Sequence, residues 1–312
     1  MALAPVQKIL LIANDAQLHR LVEDYCARFR GGPWVLDWTE DPAKGLKLLQ
    51  SGRYAVCLLD SQLGGTSGLD LLRTAGGNDC PTPVVFLAAD ASDEINEAAM
   101  EVGAMDYLVK EEITLRMVEH AIRYARKLGA TMSRLRQLAT HDALTGLCNR
   151  REFERMIAEE WQRSTRFGHP FALVMADIDH FKRVNDTHGH QVGDLVLQHV
   201  SSLLSGQIRV VDRVCRYGGE EFAIIMVETD RRQAVEGMER LFALLAELPC
   251  TVPGKDLTLP VTLSAGVAVV PDDVGTVADL IAAADEALYG AKHAGRNRIV
   301  TSSDWTRQKS TG

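Results

Sequence analysis

Two adjacent carboxylates, Glu220 and Glu221, sit in the stretch RYGGEEF (216–222), between the apolar runs VDRVC and FAIIMV. Two short apolar runs around a double glycine predict a hairpin whose glycines take positive φ. Such a turn has no need of acids, since like charges about 4 Å apart repel by about 4 kcal/mol at an effective dielectric of about 20. A second acidic pair, Asp177 and Asp179, ends the apolar run FALVM in MADIDH. If that strand lies beside the hairpin, Asp177 and Glu220 meet at one edge of a sheet. Hard oxygen ligands of this kind suit Mg2+, which keeps waters and phosphate oxygens in its shell. Two such ions could polarise a phosphoryl group. The other reading is a solvated acidic turn that binds nothing.

Nearby cations favour the first reading. Lys182 follows the acidic strand end, Arg216 precedes the glycines, and Lys292 and Arg296 lie in YGAKHAGRNR. Taken singly, each reads as a solvated surface charge. The chain has no GxxxxGK loop. A nucleotide's phosphates would therefore rest on metal, lysine, arginine and the backbone amides near His180–Lys182. His188 and His190 in NDTHGHQVGD are spaced like metal ligands, but no third nitrogen or sulfur ligand accompanies them. Asn185 and Asp194, an amide and a carboxylate, can together match the donor and acceptor edge of guanine. Read singly, they are a turn residue and an exposed helix acid.

The elements that must position these residues follow from the apolar pattern. The chain has 312 residues, 46% apolar and 24% charged, enough for two ordinary domains. A net charge of −8 argues against general nucleic-acid affinity. The six cysteines show no CxxC and read as small buried hydrophobes in a reducing cytosol. No apolar run reaches membrane-spanning length and no signal pattern opens the chain, so a cytoplasmic protein without membrane insertion is expected.

KILLIA, WVLDW, YAVCLLD, PVVFLA and MDYLV read as five strands with helical segments between them. This predicts a parallel, doubly wound sheet, with Asp60 at a strand's carboxyl end and Lys110 after the last strand. Residues 111–141 predict one long helix. Its apolar stripe of Val118, Ile122, Ala125, Leu128, Met132, Leu135 and Ala139 suits either a short coiled coil or packing on its own domain. The remainder predicts helices packed on a sheet in an order close to βαββαβ, starting near Thr140.

DALTGLCNR (142–150), ADIDHFKRVND (176–186), HGHQVGD (188–194), RYGGEEF, SAGVA (264–268) and ADEALYGAKHAGRNR (284–298) together resemble the GGDEF family of diguanylate cyclases. Cys148 stands where that family usually has proline. The resemblance implies condensation of two GTP into cyclic di-GMP and two pyrophosphates, on a palm-like α+β fold acting as a homodimer. It implies Mg2+, one or two ions per site with Mn2+ as a substitute, held by Asp177, Glu220 and the Ile178 carbonyl. Glu221 would help deprotonate the ribose 3′-hydroxyl or support the metal that does so. Asn185 and Asp194 would read guanine, and Phe181, Lys182, Lys292 and Arg296 would hold phosphates. RVVD (209–212) matches the family's RxxD inhibitory site, so Arg209 and Asp212 would bind the product, with Arg163 and Arg240 joining from neighbouring surfaces. The alternative is a non-catalytic cyclic di-GMP receptor or scaffold that uses RVVD alone.

Residues 6–127 resemble the receiver domain of two-component response regulators, which implies a sensor kinase or another regulatory protein as partner. Asp60 matches the phosphoacceptor and Lys110 its lysine. KILLIAND places Ala13 and Asn14 where an acid pair is expected, followed by Asp15, and VVFLAAD has Ala88 in place of a hydroxyl. These departures imply a weak or unconventional switch, unless Asp15 substitutes for the missing acid. The expected architecture is α/β: an N-terminal doubly wound (βα)5 receiver domain (1–127), a linking helix (128–140) and a C-terminal α+β palm-like GGDEF domain (141–312).

Overall fold

The computed structural model describes residues 6–30 and 32–311. The outer ends of the two expected domains, residues 1–5 and 312, lie outside the described residues. The chain divides into two compact units between Arg136 and Gln137.

The first unit runs β1 (Gln7–Ile12), α1 (Ala16–Arg28), β2 (Trp34–Thr39), α2 (Pro42–Gln50), β3 (Val56–Asp60), β4 (Gln62–Leu63), β5 (Thr66–Ser67), α3 (Gly68–Thr74), β6 (Val84–Ala88), α4 (Asp93–Val102), β7 (Asp106–Val109) and α5 (Leu115–Thr140). Five strands pair in the order β2-β1-β3-β6-β7, all parallel. The central strands are buried on both faces, so they read as continuous apolar runs rather than as alternation. Ile9, Leu11, Val85 and Leu87 pack with α1 and α5 on one side. Leu10, Ile12, Leu59 and Phe86 pack with α2, α3 and α4 on the other.

The long helix divides its stripe. Val118, Ile122 and Ala125 are core residues of the first unit. Beyond them the stripe surfaces: Met132 and Leu135 are 43% and 56% exposed, and Leu138 beside them is 62% exposed. The helix starts at Leu115 instead of 111, because a 3-10 turn at Lys110–Glu112 intervenes.

The second unit continues with α6 (Arg150–Phe167), β8 (Phe171–Ile178), α7 (Phe181–His188), α8 (His190–Gln207), β9 (Arg213–Arg216), β10 (Glu221–Val227), α9 (Arg231–Glu247), β11 (Cys250–Thr251), β12 (Thr258–Leu259), β13 (Leu263–Val270), α10 (Val277–His293), β14 (Ile299–Thr301) and α11 (Ser302–Thr311). The sheet order is β14-β13-β8-β10-β9, with β8 antiparallel to both neighbours. Side-chain caps fix the helix starts: Asn149 on α6, a reciprocal Asp230–Gln233 box on α9, and Thr276 on α10.

Strand β8 is buried along its whole length. Ala172, Val174, Ala176 and Ile178 face the core shared with α8 and α9. Phe171, Leu173 and Met175 face the core shared with α6 and α10. The two-residue period therefore carries Asp177 onto the α10 side. Helix α10 approaches β13 closely at Gly266, where a Cβ would meet the Ala284 carbonyl and Leu288 amide. The helices missing from the expected order are α7, as a separate element, and α11. Gly189, at φ 86°, divides α7 from α8.

Candidate active site

The register of the second sheet sets the site. Glu221 lies directly across the antiparallel ladder from Asp177, and Ser264 flanks Asp177 on the other side. Like charges directly opposite on one ladder are destabilising. The tip is held closed by backbone bonds: Tyr217 N donates to Glu221 O at 2.8 Å, and Ile178 N to Glu220 O at 3.2 Å. The expected positive φ at the two glycines is not found; neither Gly218 nor Gly219 takes it. A Cβ at Gly218 would press on Glu221 Oε2, the flexible end of that side chain, so glycine there leaves the carboxylate its present position. A Cβ at Gly219 would meet nothing within 4 Å, so the tip is open at that point.

The charges at this tip are unbalanced. Asp177 is buried, and Lys292 Nζ sits 2.7 Å from its Oδ2. Burial nevertheless pushes the Asp177 carboxyl above its ordinary range; Lys292 opposes the shift, and Glu221 and Asp179 add to it. Glu220 is raised by burial and then by Asp177 and Glu221, with Lys292 again opposing. Asp285, two turns before Lys292 on α10, is raised by partial burial and by Glu221, against Lys292 and Arg150. It keeps an exposed edge, so solvent screens part of this effect. Three carboxylates thus lean on one lysine, with Glu221 pressing on each of them. Sequence reasoning missed Asp285; its seven-residue spacing from Lys292, on one face of one helix, was the available signal.

Asp179 belongs to a different task. It accepts from Thr262 Oγ1 and Ser264 Oγ at 2.7 Å each, and from Asn297 N at 3.0 Å. It braces the loop after α10 against the end of β8. Arg216 is also committed. Its Nη1 donates to Asp142 at 3.0 and 3.1 Å, and its Nε and Nη2 donate to Gly219 O at 3.1 and 2.8 Å. It is a tie between two loops and not a phosphate ligand in waiting. Burial raises the Asp142 carboxyl, but Thr145 and Arg216 outweigh it and hold it below its ordinary value.

The nucleotide-reading residues divide. Asn185 and Asp194 are brought together where α7 meets α8: Asn185 Oδ1 packs on Gly193, next to the exposed Asp194. Asn185 Oδ1 is buried with no hydrogen-bond partner. An unsatisfied buried polar atom costs about 1–3 kcal/mol, so such an atom marks a place where a ligand supplies the missing donor. Phe181 is corrected as a phosphate-holding side chain: its ring is in the core, and only its backbone, at the start of α7, can face a ligand. Lys182 and Arg296 are exposed.

Arg209 and Asp212 close on one another. Arg209 Nε and Nη2 donate to the two Asp212 oxygens at 3.0 Å each, and Nη2 also reaches Val227 O at 2.7 Å. They line a cavity of about 230 Å³ together with Thr229, Gln233 and Arg240. Arg163 does not line it; it pairs with Glu228 at 3.4 Å.

In the first unit, Asp60 is buried and accepts from Lys110 Nζ at 2.9 and 3.2 Å. Asn14 lies beside the loop at Gly64. Asp15 is the N-cap of α1, accepting from Gln17 N at 2.8 Å and Leu18 N at 3.1 Å. It is thus engaged in ending the first loop. Ala13 and Ala88 are buried and offer no hydroxyl or carboxyl.

These two arrangements match known families. Residues 139–298 match the family model for the diguanylate cyclase GGDEF domain. The chain belongs to that family. Residues 9–122 match the response regulator receiver domain, so a receiver precedes the GGDEF domain. The response regulator PleD of Caulobacter vibrioides is 36% identical over 208 residues, covering 65% of this chain and 46% of that protein. The probable diguanylate cyclase DgcC of Escherichia coli K12 is 39% identical over 176 residues, covering 56% of this chain and 46% of that protein. The chain spans about half the length of these relatives. Among solved structures, the coiled coil and GGDEF domain of DgcB from Caulobacter crescentus, in complex with c-di-GMP, matches with a TM-score of 0.55 and 29% identity. That match covers 60% of this chain and 97% of the other.

The crowded carboxylates make stability depend on pH. Asp177 and Glu220 hold protons more tightly folded than unfolded, so the folded GGDEF domain binds more protons across that window. Stability therefore falls as pH rises from the ordinary carboxylate value of about 4 through the raised values. Thermal unfolding in EDTA across a pH series checks this. Glu220→Gln should flatten the slope and raise the melting temperature at neutral pH; a lower melting temperature would contradict the assignment.

Proposed function

We propose that this chain condenses two GTP molecules into cyclic di-GMP and releases two pyrophosphates. The observation that carries the reading is the register placing Glu221 against Asp177, with Glu220 and Asp285 crowding one lysine. A protein that keeps this repulsion without a use for it loses stability for nothing.

The donor set fits a divalent cation. It consists of hard carboxylate oxygens whose proton affinity is raised by burial and then by one another, and a cation would offset both. Among the described residues no three His, Cys, Asp or Glu side chains form a ready-made cage. Asp177, Glu220 and the Ile178 carbonyl would hold one or two Mg2+ ions, or Mn2+, with phosphate oxygens and water completing the shell. A divalent cation there supplies charge neutralisation and polarisation of the α-phosphate.

The rest falls to the chain's own groups. Asn185, whose buried amide oxygen lacks a donor, and Asp194 would read the guanine edge. Lys182, Lys292, Arg296 and the backbone at Phe181 would hold the phosphates, with Lys292 shared between Asp177 and the substrate. Glu221 would take the proton of the 3′-hydroxyl as its oxygen bonds to the second nucleotide's α-phosphorus and pyrophosphate departs. One domain binds one GTP, so two copies must face each other. The exposed Met132, Leu135 and Leu138 on α5 support a homodimer joined along that helix. GTP as substrate places the protein in the cytoplasm.

Two controls accompany the chemistry. Arg209, Asp212 and Arg240 line one cavity and would bind cyclic di-GMP as an inhibitor, with Arg163 contributing from another surface. The receiver would act as an unconventional switch answering a regulatory protein, since Asp15 is spent as a helix cap and Ala88 lacks a hydroxyl.

The full chain incubated with GTP and Mg2+ should yield cyclic di-GMP, identified by mass. Glu220→Gln should lower the rate at least about a hundredfold, about 3 kcal/mol. No product from the wild type, or near-normal turnover in the variant, would overturn the reading in favour of a receptor. In the same assay, Arg209→Ala should raise the cyclic di-GMP concentration for half-inhibition about tenfold or more, from loss of charge-assisted bonds. An unchanged inhibition curve would contradict the second site. Beryllofluoride with Mg2+, an acyl-phosphate mimic, should change the rate by less than about threefold. Strong activation that Asp60→Asn removes would establish a conventional switch instead.

A further inference from the structure

The six cysteines do not share one environment. Cys26, Cys57, Cys80 and Cys250 are buried, and burial pushes each thiol up. Cys148 and Cys215 differ because the fold brings them together. Cys148 lies in the segment between α5 and α6, and it pairs as an isolated parallel bridge with Cys215 on β9. Arg216 N donates to Cys148 O at 2.8 Å and fixes that pairing. Paired residues on neighbouring strands lie about 4.8 Å apart, inside the Cα window of about 4.4–6.8 Å that a disulfide can span.

The parallel pairing puts the two side chains on one face, side by side. The neighbouring Cys215 draws the Cys148 thiol down to about 7, against burial and Glu152, with Arg213 assisting. Cys148 and burial push Cys215 up. Access is equally asymmetric. Cys215 is fully buried, whereas Cys148 is partly exposed and lines an open cleft of about 280 Å³ with His141, Leu147 and Val214. An accessible thiol with thiolate character beside a buried partner thiol is the arrangement of a redox-active pair.

We propose that Cys148 and Cys215 form a hydroperoxide-sensitive dithiol that closes reversibly to a disulfide. The Cys148 thiolate attacks the outer oxygen of a hydroperoxide, the O–O bond breaks, and Cys148 becomes a sulfenic acid while the alkoxide leaves and takes a proton. Cys215 Sγ then attacks Cys148 Sγ, the S–O bond breaks, and hydroxide leaves with the Cys215 proton as water. Two thiols and one hydroperoxide thus give a disulfide, one alcohol and one water; with hydrogen peroxide both products are water.

The bond would form at a junction. Asn149, next to Cys148, donates from Nδ2 to Ala139 O at 2.9 Å and from N to Thr140 O at 2.8 Å, tying down the end of α5. Arg216, next to Cys215, holds Gly219 O in the acidic turn. The disulfide would therefore bolt the helix end to the strand that leads into the turn. An effect on turnover rests on the cyclase reading above; formation of the bond does not.

The test uses the full reduced chain, treated with hydrogen peroxide, alkylated, digested and mapped by mass spectrometry. The expected result is loss of two alkylatable thiols of the six, a linked pair of peptides carrying Cys148 and Cys215, and reversal by dithiothreitol. Cys215→Ala should leave Cys148 as a sulfenic acid that dimedone traps, and Cys148→Ser should abolish the link. Six alkylatable thiols after peroxide, or a link joining another pair, would overturn the proposal. GTP turnover of oxidised and reduced chain is read separately. A linked protein that makes no cyclic di-GMP in either state supports the dithiol and removes the cyclase reading.

Discussion

Glu221 and Asp177 face each other across one antiparallel ladder, and the rest of the GGDEF domain is arranged around that repulsion. The register cannot slip to relieve it. Strand β8 is buried on both faces, and a one-residue shift would turn Phe171, Leu173 and Met175 into the wrong core. Helix α10 presses against β13 at Gly266 and delivers Lys292 to Asp177. One lysine is too little for Asp177, Glu220 and Asp285, whose carboxyls burial and the neighbouring Glu221 push above the ordinary range. The core specifies the register, and the register crowds the carboxylates.

A chain of bonds ties the end of α5 to the same turn. Asn149 holds Ala139 O and Thr140 O, Cys148 O receives Arg216 N, and Arg216 joins Asp142 to Gly219 O. Every link lies within the second unit. The last turn of α5 and the tip that carries Glu220 and Glu221 are thus joined by an unbroken series of hydrogen bonds.

Much of this was legible in the sequence because it rests on apolar runs and local spacing. The strands announced themselves by burial on both faces, and Asp177, Glu220 and Glu221 by acids where a hairpin needs none. The pairings that failed to appear were tertiary. Arg216 reads as a free cation until the fold sets Asp142 beside it. Asp179 reads as the twin of Asp177 until Thr262 and Ser264 claim it. Phe181 reads as a phosphate-holding residue, yet its ring belongs to the core. The double glycine was read for its backbone freedom, whereas neither Gly218 nor Gly219 takes positive φ. Cys148 and Cys215 are far apart in sequence, so no spacing rule could join them.

The central claim is that the carboxylates at the turn form a cation site completed by a nucleotide. Its most direct measurement is free Mn2+, followed by electron paramagnetic resonance as the full chain is titrated in the presence of an α,β-methylene GTP analogue. The account predicts saturable uptake of Mn2+ beyond what the analogue binds alone, and loss of that uptake in Asp177→Asn. Equal uptake by the wild type and the variant would contradict it.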